Sequence, residues 1–319
     1  RIYGYNKIDA PQKISFTPVK LNAKDQDELE NSWARTLQSL GFNEVMNNSL
    51  TSVKDETDAV KLLNPLSSDL AFMRKSLLEG LLQNAIYNIN RKNQDIKFFE
   101  FGKIYHKRDK YEERKQLGIL VTGRDVAENW LQPKSATSFY NLKAYVKVLL
   151  EKLAIDYKEI ALADERFSDA LAYEVNGTAL VRIGKVSAQM LKDFDIEQES
   201  FYAEIELELA QKLRSGNELK FKDIPKFNKI RRDLALLIDK NVNYEDLYQT
   251  AKKNKSPYLK NINLFDVYEG KNLPEGKKSY AMSFELLNED KTLEDKEITA
   301  VMDSLIKSFQ KEFNAELRG

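Results

Sequence analysis

NLFDVYEG, from Asn263 to Gly270, and KSYAMSFELL, from Lys278 to Leu287, decide the fold of the C-terminal third of this chain. Both runs are rich in strand formers, and the turn-rich stretch Gly270 to Gly276 joins them, so the pair predicts two antiparallel strands. Working outward, Asp233 to Asp239 alternates as an earlier strand, and Asn243 caps a helix carrying Tyr244, Leu247, Tyr248 and Ala251. Beyond the pair, Thr292 with Asp295 makes a capping-box start for a helix whose Ile298, Val301, Met302, Leu305, Ile306, Phe309 and Phe313 step by three and four. Ala315 to Arg318 is a last short strand. The order is βαββαβ, that of a ferredoxin-like domain over 221–319.

In that arrangement both helices cover one face of the sheet, and side chains alternate between the covered face and the open one. Tyr280, Met282, Phe284 and Leu286 are expected to face the helices, together with Phe265 and Val267. Ser279, Ala281 and Ser283 are then left on the open face, beside Leu264, Asp266 and Tyr268. An outward tyrosine next to a carboxylate and a serine is a stacking platform for an unpaired base, with Tyr268 as the stacker and Asp266 and Ser279 as edge readers. Arg231, Arg232 and Lys278 flank it as cationic contacts. The plainer alternative is a tyrosine that only fills the pleated surface.

Upstream, Asp27 to Leu40 carries Leu29, Trp33, Leu37 and Leu40 at helical spacing and stops at Gly41. Phe42 to Leu50 reads as a strand and Ser76 to Arg91 as a second helix. Ile96 to Lys107 and Gln116 to Thr122 read as an antiparallel pair around a solvated charged loop, Arg108 to Lys115. A helix over Asn141 to Leu153 follows, then a hairpin about Asn176-Gly177, a short helix near Ala188 to Phe194 and a strand near Phe201 to Leu207. The apolar pattern lapses over Arg214 to Lys220, which sets a domain boundary there. The whole is an α+β chain: a tail over 1–19, an antiparallel-sheet domain over 20–220 and the ferredoxin-like domain.

Composition narrows the chemistry. The chain has 319 residues, 42% hydrophobic and 31% charged, with 50 basic against 50 acidic side chains, so no global positive field draws it to nucleic acid. Any such contact must be local. The absence of cysteine excludes disulfides and thiolate zinc sites, and the single histidine, His106, excludes sites needing two imidazoles. His106, beside Lys107 and Arg108, reads as a surface histidine rather than a general base, and Asp55, Glu56 and Asp58 as an acidic loop rather than a metal site. Arg74 is read as structural, paired with Asp69 or Glu79. No apolar run reaches membrane length and no leader opens the chain, so a cytoplasmic location is expected.

The ordered blocks KDIPKFNKIRRDLALLID, NLFDVYEG, LPEGKKSYAMSFELL, TLEDKEI and AELRG, with NPLSSDLAFMRKSLLEGLLQNAIYNINR and FFEFGKIYHK before them, resemble the bacterial phenylalanyl-tRNA synthetase beta-subunit family over nearly the whole chain. The resemblance implies a C-terminal fragment lacking its natural start, with a class II synthetase-like domain followed by an anticodon-binding domain. It places the anticodon contact of tRNA(Phe) on FDVYEG and PEGKKS, hence on Tyr268, Asp266 and Ser279. It implies a heterotetramer of two alpha and two beta subunits in which alpha uses ATP and magnesium, while this chain scaffolds alpha. The class II pattern of an arginine two residues before an acid is missing, since Phe98 stands before Glu100, so no catalysis or cofactor is expected of this fragment. Trp33 and Leu37, on the helix that forms subunit interfaces in class II enzymes, either anchor such an interface or fill the domain's own core. The rival readings are a free-standing RNA-binding or assembly module and a self-sufficient ATP-using class II enzyme.

Overall fold

Leu29, Trp33 and Leu37 put one apolar stripe on the first helix, α1 (Gln26–Ser39), and all three are buried, while Arg35 and Ser39 face away. The chain leaves the helix through Gly41, whose φ of 86° is open to glycine at little cost. This computed structural model describes residues 4–9, 13, 15–16, 26–52, 57–131, 135–216, 223–254, 256–270 and 273–318, and it divides into two units, Arg1–Leu219 and Lys220–Gly319. The expected tail over 1–19 lies largely outside the described residues, as do Asp55 and Glu56.

The first unit is built on a seven-stranded sheet in the order β1-β4-β5-β9-β8-β7-β6. Its strands are β1 (Asn43–Glu44), β4 (Ile96–Lys107), β5 (Tyr111–Thr122), β6 (Lys158–Ala161), β7 (Phe167–Val175), β8 (Thr178–Val186) and β9 (Ser200–Glu206). All neighbours pair antiparallel except β1 with β4. A separate two-stranded ribbon joins β2 (Leu50–Thr51) to β3 (Phe72–Met73). The two-residue link between β7 and β8 puts Asn176 and Gly177 at φ of 52° and 77°, the conformation a tight hairpin requires.

One face of this sheet packs Phe99, Leu117, Ile119, Val181 and Ile205 against α1 and α3 (Phe139–Glu151), and Leu207 and Ala210 of α5 (Leu207–Gly216) join the same core. The other face receives α2 (Leu78–Ile89) through Leu78, Leu81 and Leu82, with α4 (Ala188–Asp193) contributing Leu191. Two glycines make room for α2 and for the residues that lead into it. A Cβ on Gly102 would lie 2.3 Å from an Arg74 guanidinium nitrogen, and one on Gly118 3.1 Å from Leu77 Cβ.

Two sequence expectations change here. The Phe42 to Leu50 strand is interrupted because Asn47 turns inward, its N–H donating to Glu100 at 3.2 Å and its Nδ2 at 2.7 Å. The Arg108 to Lys115 loop is mostly strand: β5 begins at Tyr111, and β9 pairs only with Gln116 to Thr122, so the outer arms of the β4/β5 hairpin project past β9 and carry charge. Neither the edge strand β6, which has only four residues, nor the ten-residue helix α5, whose apolar residues are interspersed with polar ones, is among the elements expected from the sequence.

The second unit is a four-stranded sheet in the order β11-β12-β10-β13. Its chain order is β10 (Ile230–Asp239), α6 (Tyr244–Lys253), β11 (Leu259–Tyr268), β12 (Lys277–Leu286), α7 (Asp295–Phe313) and β13 (Glu316–Leu317), the βαββαβ read from the sequence. Leu247 and Ala251 of α6 and Ile298, Met302, Leu305 and Phe309 of α7 close over Leu236, Ile238, Met282, Phe284 and Leu286. The α7 capping box is formed by Glu294 and Glu297, not Thr292 and Asp295: Glu297 Oε2 accepts from the Glu294 N–H at 3.0 Å. Among the described residues no helix is long and apolar enough to cross a membrane.

Candidate nucleic-acid interface

Residues directly opposite in an antiparallel ladder share a face, so the register of the second sheet sorts its side chains. Leu286, Phe284, Met282 and Tyr280 lie opposite Ile230, Arg232, Leu234 and Leu236 on the helix side. On the open side Glu285, Ser283, Ala281 and Ser279 lie opposite Arg231, Asp233, Ala235 and Leu237. Across the other edge of β12, Leu264 faces Met282, Asp266 faces Ala281 and Tyr268 faces Ser279, with Phe265 the extra residue of a bulge.

That bulge corrects the sorting of β11. Leu264, expected outward, packs against the helix-side core. Phe265, expected inward, is 48% exposed and has the Arg231 guanidinium 5.1 Å from its ring centroid. Val267 keeps the helix side by register, opposite Tyr280, yet is half exposed.

Of the six residues expected to contact RNA, Tyr268, Asp266, Ser279 and Arg231 share the open face. Arg232 and Lys278 do not. Adjacent strand residues point to opposite faces, so Arg232 lies opposite Phe284, and Lys278, opposite Ile238, is 6% exposed with its Nζ 4.6 Å from the Tyr280 ring. Ser279 is on the expected face but 4% exposed, between its cross-strand neighbours Leu237 and Tyr268.

The Tyr268 ring is fixed from two directions. Arg318 donates its N–H to the Ala235 carbonyl, which places it on the open side, and its guanidinium lies 4.9 Å from the Tyr268 ring centroid. A Cβ on Gly270 would fall 2.2 Å from the phenol oxygen, so only glycine lets the ring settle there. Arg231 is likewise oriented, its Nε and Nη2 donating to Asp233 at 2.8 and 3.2 Å. Sequence reasoning missed Phe265 and Arg318. The adjacent large apolar pair Leu264-Phe265, which breaks the alternation, is the signal that could have exposed the first.

In the first unit the face covered by α2 is charged but internally committed. Arg74 pairs with Glu100, not with Asp69 or Glu79, at 2.6 Å, and its Nε donates to the Lys103 carbonyl at 2.9 Å. Arg166 holds Glu204 at 2.9 Å and Asp164 at 2.7 Å, while Arg182 reaches Glu204 at 3.3 Å and Glu206 at 3.5 Å. His106 Nδ1 sits 3.2 Å from Asp58, which also meets Lys75 and Arg108, an ion-pair cluster rather than a base beside a cleft. Among the described residues no three metal-ligating side chains converge. Leu77 and Leu81 are seated on the sheet glycine Gly118, and Arg74, Arg166 and Arg182 are each taken by carboxylates. Trp33 and Leu37 are fully buried in this unit's own core and present no side-chain surface to a partner.

Burial works against ionisation of Asp164, and the Arg166 guanidinium outweighs it, holding the carboxyl below the ordinary aspartate range. Asp125 is depressed in the same way, burial being overcome by the Tyr145 hydroxyl, Lys97 and Asn141. A carboxylate with a depressed folded pKa stabilises fully above its unfolded value and loses that contribution as pH falls through the folded one. The first unit is therefore expected to keep its stability down to about pH 5 and lose it progressively below about pH 4. Carbon NMR titration of the two carboxyls checks this: midpoints at or above about 3.9 would rule the pairs out as its source.

Comparison with known proteins bears on both units. Residues 11–207 match the family model described as the phenylalanyl tRNA synthetase beta chain CLM domain, and residues 225–318 match the ferredoxin-fold anticodon binding domain. Phenylalanine-tRNA ligase beta subunits from Bacteroides thetaiotaomicron and Bacteroides fragilis are each 40% identical to it, and one from Porphyromonas gingivalis is 35% identical. Each alignment covers 100% of this chain but 42% of the relative, so the chain spans about two-fifths of the length of these proteins. The crystal structure of pyrrolysyl-tRNA synthetase from Desulfitobacterium hafniense overlays 61% of this chain and 71% of its own at a TM-score of 0.49 and 16% identity. With residues 11–207 of its first unit matched by that family model, and its second unit matched by the ferredoxin-fold anticodon binding domain, the chain belongs to the phenylalanyl-tRNA synthetase beta chain CLM-domain family.

Proposed function

We propose that this chain is the C-terminal part of a phenylalanine-tRNA ligase beta subunit, and that its second unit holds the anticodon loop of tRNA(Phe) on the open sheet face. The observation that carries this is the Tyr268 ring, given room by Gly270, met by Arg318 and near Asp266, on an open sheet face where Ala235, Ser279 and Ala281 leave space beside it. Tyr268 stacks an unpaired base, Asp266 accepts from its edge and Arg231 meets the RNA backbone. Ser279 contributes its small size, which keeps the floor beneath the ring low.

The first unit scaffolds the alpha subunit, in a cytoplasmic heterotetramer of two alpha and two beta subunits. ATP and magnesium supply the activation of phenylalanine in that assembly; this chain positions RNA and partner. A free-standing RNA-binding module is not favoured, because the synthetase CLM-domain match covers residues 11–207, well outside the RNA-binding fold.

Binding of the chain to a tRNA(Phe) anticodon stem-loop, beside one with a changed anticodon, across a salt series, tests the reading. Preference for the matching loop should persist as salt rises, and Tyr268→Ala should cost about 1–3 kcal/mol of binding. Equal, steeply salt-dependent binding of both loops would reduce the site to phosphate attraction.

A further inference from the structure

Two aromatic rings stand on the open face of the second unit, and an arginine from outside β11 meets each. Tyr268 has Arg318 at 4.9 Å, and Phe265 has Arg231 at 5.1 Å. Phe265 reaches this position only because of the bulge between Leu264 and Asp266, which turns a large apolar side chain away from the core and leaves it 48% exposed. The Arg231 plane is not free to wander, since two hydrogen bonds to Asp233 hold it. Between the two rings the open face offers Asp266 and, opposite it, Ala281, so nothing bulky separates one ring from the other.

We propose that Phe265 is a second base-stacking platform, taking the nucleotide next to the one on Tyr268, with Arg231 beside the ring to meet that nucleotide's phosphate. This rests on the reading that the open face holds RNA. Residues 265 and 268 lie three strand positions apart, about 10 Å at most. That exceeds the about 3.4 Å between stacked neighbours, so the ligand is two adjacent nucleotides already unstacked, as in a single-stranded loop. Stacking on a phenyl ring tolerates any base, so Phe265 adds affinity and register while Asp266, between the two rings, supplies discrimination.

The test uses the whole chain and an anticodon stem-loop carrying 2-aminopurine at each loop position in turn, whose fluorescence falls when the base stacks. Quenching is expected at two adjacent positions, one relieved by Tyr268→Leu and the other by Phe265→Leu. Phe265→Leu keeps apolar bulk at a half-exposed site, so its melting temperature should hold while affinity drops about 5- to 150-fold; Phe265→Tyr, which keeps a π face, should bind like the parent. If Phe265→Leu binds like the parent while Tyr268→Leu weakens binding, the second platform is overturned and the RNA reading stands. If the parent chain does not bind the loop, both fall.

Discussion

Arg74→Met is expected to destabilise the first unit by about 3–5 kcal/mol, because it leaves a buried carboxylate without its cation. Glu100 is 1% exposed at its side chain and Arg74 8%, and the pair is 2.6 Å apart. Asn47 still donates to the other Glu100 oxygen at 2.7 Å, but a neutral amide cannot balance the charge. Urea unfolding should show a lower midpoint at an unchanged slope. Adding Glu100→Gln to the same protein should recover much of the loss, since no orphaned charge then remains. A single variant within 1 kcal/mol of the parent would mean that Glu100 takes up a proton or that the strand relaxes around it.

Trp33→Ala is the second large effect, about 3–5 kcal/mol, from the cavity left by an indole with no exposed surface. The measurement is made on the chain alone. An indole that anchored a partner would leave the isolated chain almost unchanged and weaken only the assembly; an indole in the core, where Leu29, Leu37 and Leu142 share its cluster, must cost stability without any partner present. Loss of less than about 1 kcal/mol would return Trp33 to the interface.

The elements that were legible in the sequence are those whose two faces differ. Tyr280 to Leu286 alternates cleanly because one side of β12 meets two helices and the other meets none, and Asn176-Gly177 announces its hairpin through backbone conformations few other residues adopt. The site was legible in part. Strict alternation, applied from Ser279, already puts Lys278 on the helix side, where the structure has it. Arg231 and Arg232 cannot serve one surface, being adjacent in a strand. Period-two sorting of β11 failed at a bulge, where the count itself slips by one. Arg318 over Tyr268 and Arg74 on Glu100 are contacts between distant stretches, which local pattern does not encode.

The position of β10 bears on how the second unit comes to be made. This strand is the unit's first, yet its partners are β12 and β13, both later in the chain. A nascent chain therefore carries Leu234, Leu236 and Ile238 unpaired until Lys277 to Leu286 has emerged, and its outer edge waits for Glu316–Leu317. Such a run is a template for aggregation during synthesis, and long-range pairing of this kind is slow. Arg231, Arg232 and Asp233 stand immediately before it, charged residues of the kind that keep exposed strands apart. Arg232, which the sheet places on the opposite side from the proposed RNA contacts, is one of these charges.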